Sequence, residues 1–313
     1  MKMTPMKKIR NKLNGVLLLD KPLGLSSNQA IQRVKRLLNA EKVGHTGTLD
    51  PLASGLLPVC LGEATKFAGY LLDGDKEYLA TAQLGVTTAS GDAEGTVLTT
   101  TTVLTSQAAI EQALRKFSGP QWQTPPMYSA LKHEGKPLYE YARQGITIER
   151  QPRQITIHQL ELVAYDALAQ QISLRIMVSK GTYIRTLAED IGQELGCGAF
   201  LTALRRSSSN QFNLSKAITL EQLVAAEQQR PLLNCDVLVS HLAAYNLDQS
   251  EFQVLKYGNI LSVAQAAMPL DQELRLYANQ VFLGIGSFTQ ENEQLYLRPK
   301  RLVSGTADLQ PWS

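Results

Sequence analysis

Hydrophobic and polar positions along this chain follow two different periods, and the changes of period mark its elements. Residues 15–19 form a short apolar run that predicts a buried strand. Ser26 or Ser27 can cap a helix in which Ile31, Val34, Leu37 and Leu38 recur at helical spacing. Residues 56–61 are a second apolar run, and Pro58 inside it predicts an edge strand or a strand start. Residues 63–72 read as a short helix. Tyr78, Ala80, Ala82 and Leu84 alternate with more polar neighbours, as in a strand with one buried face. Residues 90–95 read as a turn. Ser106 caps a helix carrying Ile110, Leu114 and Phe117, which Gly119-Pro120 ends. Strands are predicted over 155–163 and 172–178, and helices over 182–195 and 219–226.

Two stretches break this pattern. Residues 120–153 are rich in Pro, Gly, Tyr and basic residues, which predicts an excursion from the core with a short helix near 138–143. Composition shifts again near residues 245–248. Beyond lie strand-like runs at 280–286 and 294–298, with Gly258, Gly284 and Gly286 read as tight turns, so a small β-rich unit is predicted. The expected division is residues 1–247 and 248–313, a large domain and a small one in a chain of 313 residues.

Composition narrows the class. Hydrophobic residues make up 44%, enough for a sizeable core, and no run approaches the ~20 apolar residues that span a bilayer. A basic start (Lys2, Lys7, Lys8, Arg10, Lys12) precedes only Val16-Leu17-Leu18-Leu19, too short for a secretory signal. A cytoplasmic protein is expected, with no membrane association. Cys60, Cys197 and Cys235 are scattered, as reduced thiols would be, and four dispersed histidines argue against a structural zinc site. The net charge of +3 reveals no nucleic-acid binder by itself. Basic residues do cluster at the N-terminus, over 132–153, at Arg205-Arg206 and at Arg298, Lys300 and Arg301. Together these predict a phosphate-tracking face, although each alone reads as solvated surface.

The candidate chemistry lies in residues 44–58, where three glycines, two prolines, His45 and Asp50 shape a loop that ends in the apolar run. Pro51 biases the Asp50 backbone away from the helical region. A lone carboxylate on such a loop can cap a helix, bind a metal or act as a nucleophile. His45 has no partners at metal-ligand spacing.

Gly47-Thr48-Leu49-Asp50-Pro51, with Ala53 and Gly55, resembles the signature of the TruB family of tRNA pseudouridine synthases. Gly62-Glu63-Ala64-Thr65-Lys66, Lys76-Glu77-Tyr78, Pro125-Pro126-Met127-Tyr128-Ser129-Ala130-Leu131-Lys132 and Gly181-Thr182-Tyr183-Ile184-Arg185 resemble further family motifs, in family order. The resemblance implies an α+β fold, with a mixed, mainly antiparallel sheet flanked by helices and a small β-rich, PUA-like C-terminal domain. It implies isomerisation of the T-loop uridine at tRNA position 55. Asp50 would be the nucleophile, Arg185 its ion-pair partner and Tyr78 the residue that stacks on the base. Tyr183 and Leu204 would complete the pocket. His45 would stack on rearranged nucleotides, and Lys66 would position the loop or meet phosphate.

That reaction breaks a carbon–nitrogen glycosidic bond and makes a carbon–carbon bond to the same base. No group is lost and no redox change occurs, so neither cofactor nor metal is expected. The tRNA T-arm is the expected partner, with no obligate protein partner and a monomeric enzyme. The uridine must leave its stacked loop to be reached. Tyr128, Lys132, His133, Lys136, Tyr139, Tyr141 and Arg143 of the excursion are expected to clamp the RNA. Rival classes are an RNA-folding chaperone, a synthase acting on ribosomal RNA and a metal hydrolase using His45 and Asp50.

Overall fold

The computed structural model describes residues 10–226 and 231–309, so Lys2, Lys7 and Lys8 of the basic start lie outside the described residues. The first half runs β1 (Gly15–Lys21), α1 (Ser27–Leu37), β2 (Val43–His45), β3 (Ala53–Leu61), β4 (Lys76–Leu84), α2 (Gln107–Arg115), β5 (Gly119–Gln123) and α3 (Leu138–Ala142). Then come β6 (Arg153–Asp166), β7 (Gln171–Val178), α4 (Ile184–Glu194), β8 (Ala199–Ser209), α5 (Leu220–Ala225) and β9 (Leu232–Leu233). One sheet has the order β9-β1-β3-β8-β4-β7-β6-β5, with β2 paired to β3. Its pairs are antiparallel except β3 with β8.

The two hydrophobic patterns report how many faces of each strand are covered. In β1, Leu17 and Leu19 enter the core beneath α1, α4 and α5, while Val16 and Leu18 enter a second core on the opposite face. A strand buried on both faces needs a continuous apolar run. In β4 and β7 only one face meets the main core, so Tyr78, Ala80, Ala82, Leu84 and Ile172, Leu174, Ile176, Val178 alternate with mostly polar residues, Leu79 and Met177 being the exceptions. Ser26 caps α1 in a reciprocal capping box with Gln29, and Ala30, Ile31 and Val34 face the core.

The second core joins the large sheet to a five-stranded one. That sheet comprises β10 (Ala243–Leu247), β11 (Leu261–Val263), β12 (Glu273–Ala278), β13 (Val281–Glu291) and β14 (Gln294–Leu302), in the order β10-β12-β13-β14-β11. Helix α6 (Gln249–Leu255) buries Phe252 and Leu255 against it. Phe67 meets Phe282 edge-on, with ring centroids 5.4 Å apart, and Ile285 joins the same cluster. The α+β architecture and the β-rich C-terminal unit are therefore as expected.

Several local expectations change. The helix expected over 63–72 is two 3-10 turns, Gly62–Lys66 and Ala68–Leu71. Pro58 lies in an interior strand, not at an edge or a start. Its carbonyl accepts from Thr46 at 3.3 Å, so its nitrogen faces away from β1. On that side β3 changes partner from β8 to β2, and no ladder bond to β1 is lost. Gly119 begins β5, which pairs with β6, so residues 119–123 are sheet and the excursion spans 124–152. Gly284 and Gly286 lie inside β13, where the strands come close: a Cβ on Gly284 would sit 2.1 Å from the Arg301 carbonyl oxygen. Residues 243–247, assigned in sequence to the larger unit, form β10 of the smaller sheet.

Candidate active site

The loop carrying Asp50 is held by the start of α1, by the turn after β1 and by β8. Ser27 Oγ, at the start of α1, accepts from Leu49 N at 2.7 Å and lies 3.0 Å from Leu49 O. Gly24 N donates to Pro51 O at 2.9 Å, and Ala53 N returns to Asp50 O at 3.0 Å. Beneath the loop, Arg206 of β8 is 1% exposed. It donates to Leu56 O at 2.8 Å and reaches Thr48 O and Gly47 O at 3.5 Å. Lys21, at the end of β1, is fully buried and donates from Nζ to Pro22 O and Leu25 O. Burial pushes its ammonium down to about 8, opposed by the Asp50 charge. Gly55 lets β3 lie against β8 here, because its φ is +101° and a Cβ would sit 2.4 Å from Arg206 O.

Arg185 reaches the loop from the first turn of α4. Its Nη2 lies 3.0 Å from Asp50 Oδ2, and its Nε lies 3.5 Å from Asp92 Oδ2. It also donates to Ser90 O at 2.9 Å and to Tyr128 O at 2.6 Å. The guanidinium fork is thus fixed on the turn at 90–95 and on the base of the excursion, and it sets a permanent positive charge against one side of Asp50. Asp92 is held in turn by Ser90 Oγ and by Glu94 N at 3.1 Å. Glu189, one turn further along α4, lies against Gly91. Burial, with the charges of Asp190 and Asp92, pushes its carboxyl up to about 7 against the opposing pull of Arg185.

The register brings the other predicted residues to the same face. Tyr78 of β4 pairs with Arg206 of β8, and Leu204 pairs with both Ala80 of β4 and Ala53 of β3. Tyr78 and Leu204 are therefore diagonal neighbours beside the strand that leaves the Asp50 loop. Tyr183 is the N-cap residue of α4 and is fixed by Gln123, which accepts from Tyr183 N at 2.8 Å and donates to its carbonyl at 3.0 Å. Burial raises the Tyr183 hydroxyl, and Asp50 lies close enough to add to the effect. His45 ends β2 and accepts from Gly47 N at 3.3 Å. Burial and the Arg206 charge lower its pKa.

Lys66 is placed differently. It pairs with Glu63 at 2.6 Å and donates to Leu302 O at 3.0 Å and Ser304 Oγ at 2.9 Å. Those partners put it at the junction with the five-stranded sheet, and none belongs to the group around Asp50. Two basic clusters also prove to be engaged. Arg205 pairs with Asp20 at 2.6 Å, and Arg206 is buried. Arg298 pairs with Glu291 at 2.7 Å, Lys300 with Glu273 at 3.5 Å, and Arg301 donates to Lys66 O. Apart from Arg206, these cations keep partly exposed side chains while paired within the chain. Asp92, Lys21 and Arg206 were not singled out in the sequence as site residues. The position of Lys21 just beyond the apolar run 15–19 was the one available signal, because a lysine continuing a buried strand must find acceptors.

Residues 35–184 match the TruB family pseudouridylate synthase N-terminal domain. Residues 185–240 match the tRNA pseudouridylate synthase B C-terminal domain, and 243–303 match the pseudouridine synthase II TruB C-terminal domain. The chain is 49% identical over 301 residues to the tRNA pseudouridine synthase B of Methylobacillus flagellatus, covering 95% of this chain and 97% of that one. It is 50% identical over 298 residues to the protein of the same name from an Azoarcus species, covering 94% and 96%. The structure is similar to a chain of a Cbf5-Nop10-Gar1 complex, with a TM-score of 0.69 and 26% identity over 92% of this chain and 84% of the other. Motifs, fold and relatives agree, and this chain belongs to the TruB family of pseudouridylate synthases.

Proposed function

We propose that this enzyme isomerises the T-loop uridine of tRNA, position 55, to pseudouridine, with Asp50 as nucleophile. The observation that carries the reading is the Asp50–Arg185 ion pair, set beside Tyr78, Leu204 and Tyr183 on one face of the sheet. The names of the relatives supply tRNA as the substrate class.

The extruded uridine stacks on Tyr78, with Leu204 and Tyr183 as walls. Asp50 attacks and the glycosidic bond breaks. The base turns so that carbon 5 faces the ribose, the carbon–carbon bond forms as the bond to Asp50 is released, and the proton lost from carbon 5 is balanced by one taken up at nitrogen 1. A carboxylate nucleophile divides one hard step into easier ones. Arg185 orients Asp50 from behind without covering it. His45, at the start of the loop, holds the displaced nucleotides by stacking, and the excursion clamps the stem. Lys66 acts by seating the small β-rich unit on the large one.

The unit boundary falls near residue 243, where β10 begins. Among the described residues no helix is long and apolar enough to cross a membrane, and the enzyme acts as a cytoplasmic monomer without an obligate protein partner. The test is to treat an unmodified tRNA transcript and map pseudouridine by carbodiimide-blocked reverse transcription. A single new stop at uridine 55 is expected. No stop, or stops elsewhere, overturns the assignment.

A further inference from the structure

The charge around Asp50 is unbalanced. Asp50, Asp92, Glu94 and Glu189 gather around the guanidinium of Arg185, with Arg143 also acting on Glu94. The excess negative charge is felt within the group: the Glu94 carboxyl is raised by burial first and then by Asp92 and Asp50. Of the other cations nearby, Lys21 serves the carbonyls of Pro22 and Leu25, Arg206 serves carbonyls of the loop, and Arg143 acts on Glu94 while lying 5.4 Å from the centroid of the Tyr139 ring. An RNA nucleotide entering this site carries a phosphate on each side. Like charges oppose entry, and a free cation at the rim offsets that opposition.

Arg153 is a cation so placed on the sheet side of the site. It opens β6 opposite Gln123 of β5, and directly paired residues lie on one face of a sheet. Ile155 and Ile157, at the next alternate positions, are buried in the main core, so the Arg153 side chain leaves the sheet on the site's face, beyond the core's edge. Gln123 is the residue that fixes Tyr183 through two hydrogen bonds. The guanidinium lies near enough to stabilise the ionised Tyr183 hydroxyl, the same hydroxyl that feels Asp50. Arg153 is exposed, and among the described residues no ion pair or side-chain hydrogen bond engages it. Arg150 contrasts with it, because its guanidinium closes the excursion through Pro125 O and Ile148 O.

We propose that Arg153 binds a backbone phosphate flanking the extruded uridine and so holds the nucleotide over Asp50. The proposal rests on the RNA-isomerising role given above. It makes Arg153 a binding residue, distinct from the clamp of the excursion, whose cations lie along residues 132–143.

The experiment compares the native chain, Arg153→Gln and Arg153→Lys on one T-arm stem-loop RNA, measuring Kd across a salt series and isomerisation at varied RNA concentration. A second stem-loop carries neutral methylphosphonates at the two phosphates flanking the target uridine. Arg153→Gln is expected to raise Kd about tenfold at moderate salt and to flatten the log Kd against log salt slope by about 0.7–0.9. The loss should be carried by KM, and Arg153→Lys should recover much of it. On the methylphosphonate RNA, native and Arg153→Gln proteins should bind alike. A folded Arg153→Gln protein with native Kd and salt slope, or one that still discriminates against the methylphosphonate RNA as the native protein does, overturns the phosphate assignment alone. A native chain that releases no product from either RNA overturns the isomerisation reading, and this proposal with it.

Discussion

Asp50 and Arg185 form a 3.0 Å ion pair whose members are unequally buried: the arginine side chain is 5% exposed and the aspartate 41%. The cation is fixed from behind by Ser90 O, Tyr128 O and Asp92, while one face of the carboxylate stays open. A structural ion pair has no need of this asymmetry. A nucleophile does, because its partner must hold it without blocking the approach of substrate.

Arg185→Lys keeps the charge and loses the fork, since one ammonium cannot serve Asp50, Asp92 and two carbonyls in the same planar geometry. The single-turnover isomerisation rate is expected to fall by roughly 100- to 1000-fold, the usual loss on removing a preorganised electrostatic contact. Affinity for RNA should change far less. Rapid-quench measurements on a labelled stem-loop check this, and a rate within about fivefold of native would show that charge alone suffices.

The half-buried carboxyl of Glu189 makes stability depend on pH. Its pKa is raised from 4.5 to about 7, so between those values the folded chain holds a proton that the unfolded chain has released. The stability from this proton is fully present below 4.5 and is lost as pH rises through 7. Glu189→Gln removes the titration. Urea unfolding at about pH 5 and about pH 8 should therefore show a smaller loss of stability for the variant than for the native chain. Asp190, also raised by burial, contributes a change of the same sign in both proteins. Equal losses would mean that Glu189 ionises freely in the folded state.

Gly55→Ala tests the packing beneath the loop. The backbone there has φ +101°, and an added methyl would sit 2.4 Å from Arg206 O and 2.8 Å from Arg206 N. Both obstacles are backbone atoms of the central strand pair, so β3 and β8 must part. A stability loss of at least about 2 kcal/mol is expected from the denaturation midpoint. A change below about 0.5 kcal/mol would show that the two strands have slack.

The elements legible in the sequence are those whose pattern matches their burial. The run in β1 and the alternation in β4 were readable because local periodicity alone records a covered face. Strand β8 was not, because bulges between Leu201 and Ala203 and between Arg206 and Ser208 break its alternation, and it places a buried arginine where a surface cluster was expected. Asp50 and Arg185 were named through family motifs, and their pairing across more than a hundred residues has no local signature. Asp92 and Lys21 went unread because their roles depend on acceptors and cations that only the folded chain brings near. Lys66 sat in a matching motif, yet its partners Leu302 and Ser304 come from the far end of the chain.

The most direct test of the account is tritium release from tRNA transcripts labelled at uridine carbon 5, comparing the native chain with Asp50→Asn and measuring RNA binding in parallel. Asparagine keeps the shape of Asp50 and leaves the loop's backbone bonds in place. The native chain should release one tritium per tRNA, and Asp50→Asn should release none while binding RNA with near-native affinity. Release by a folded Asp50→Asn protein at a rate close to native would contradict a nucleophilic Asp50.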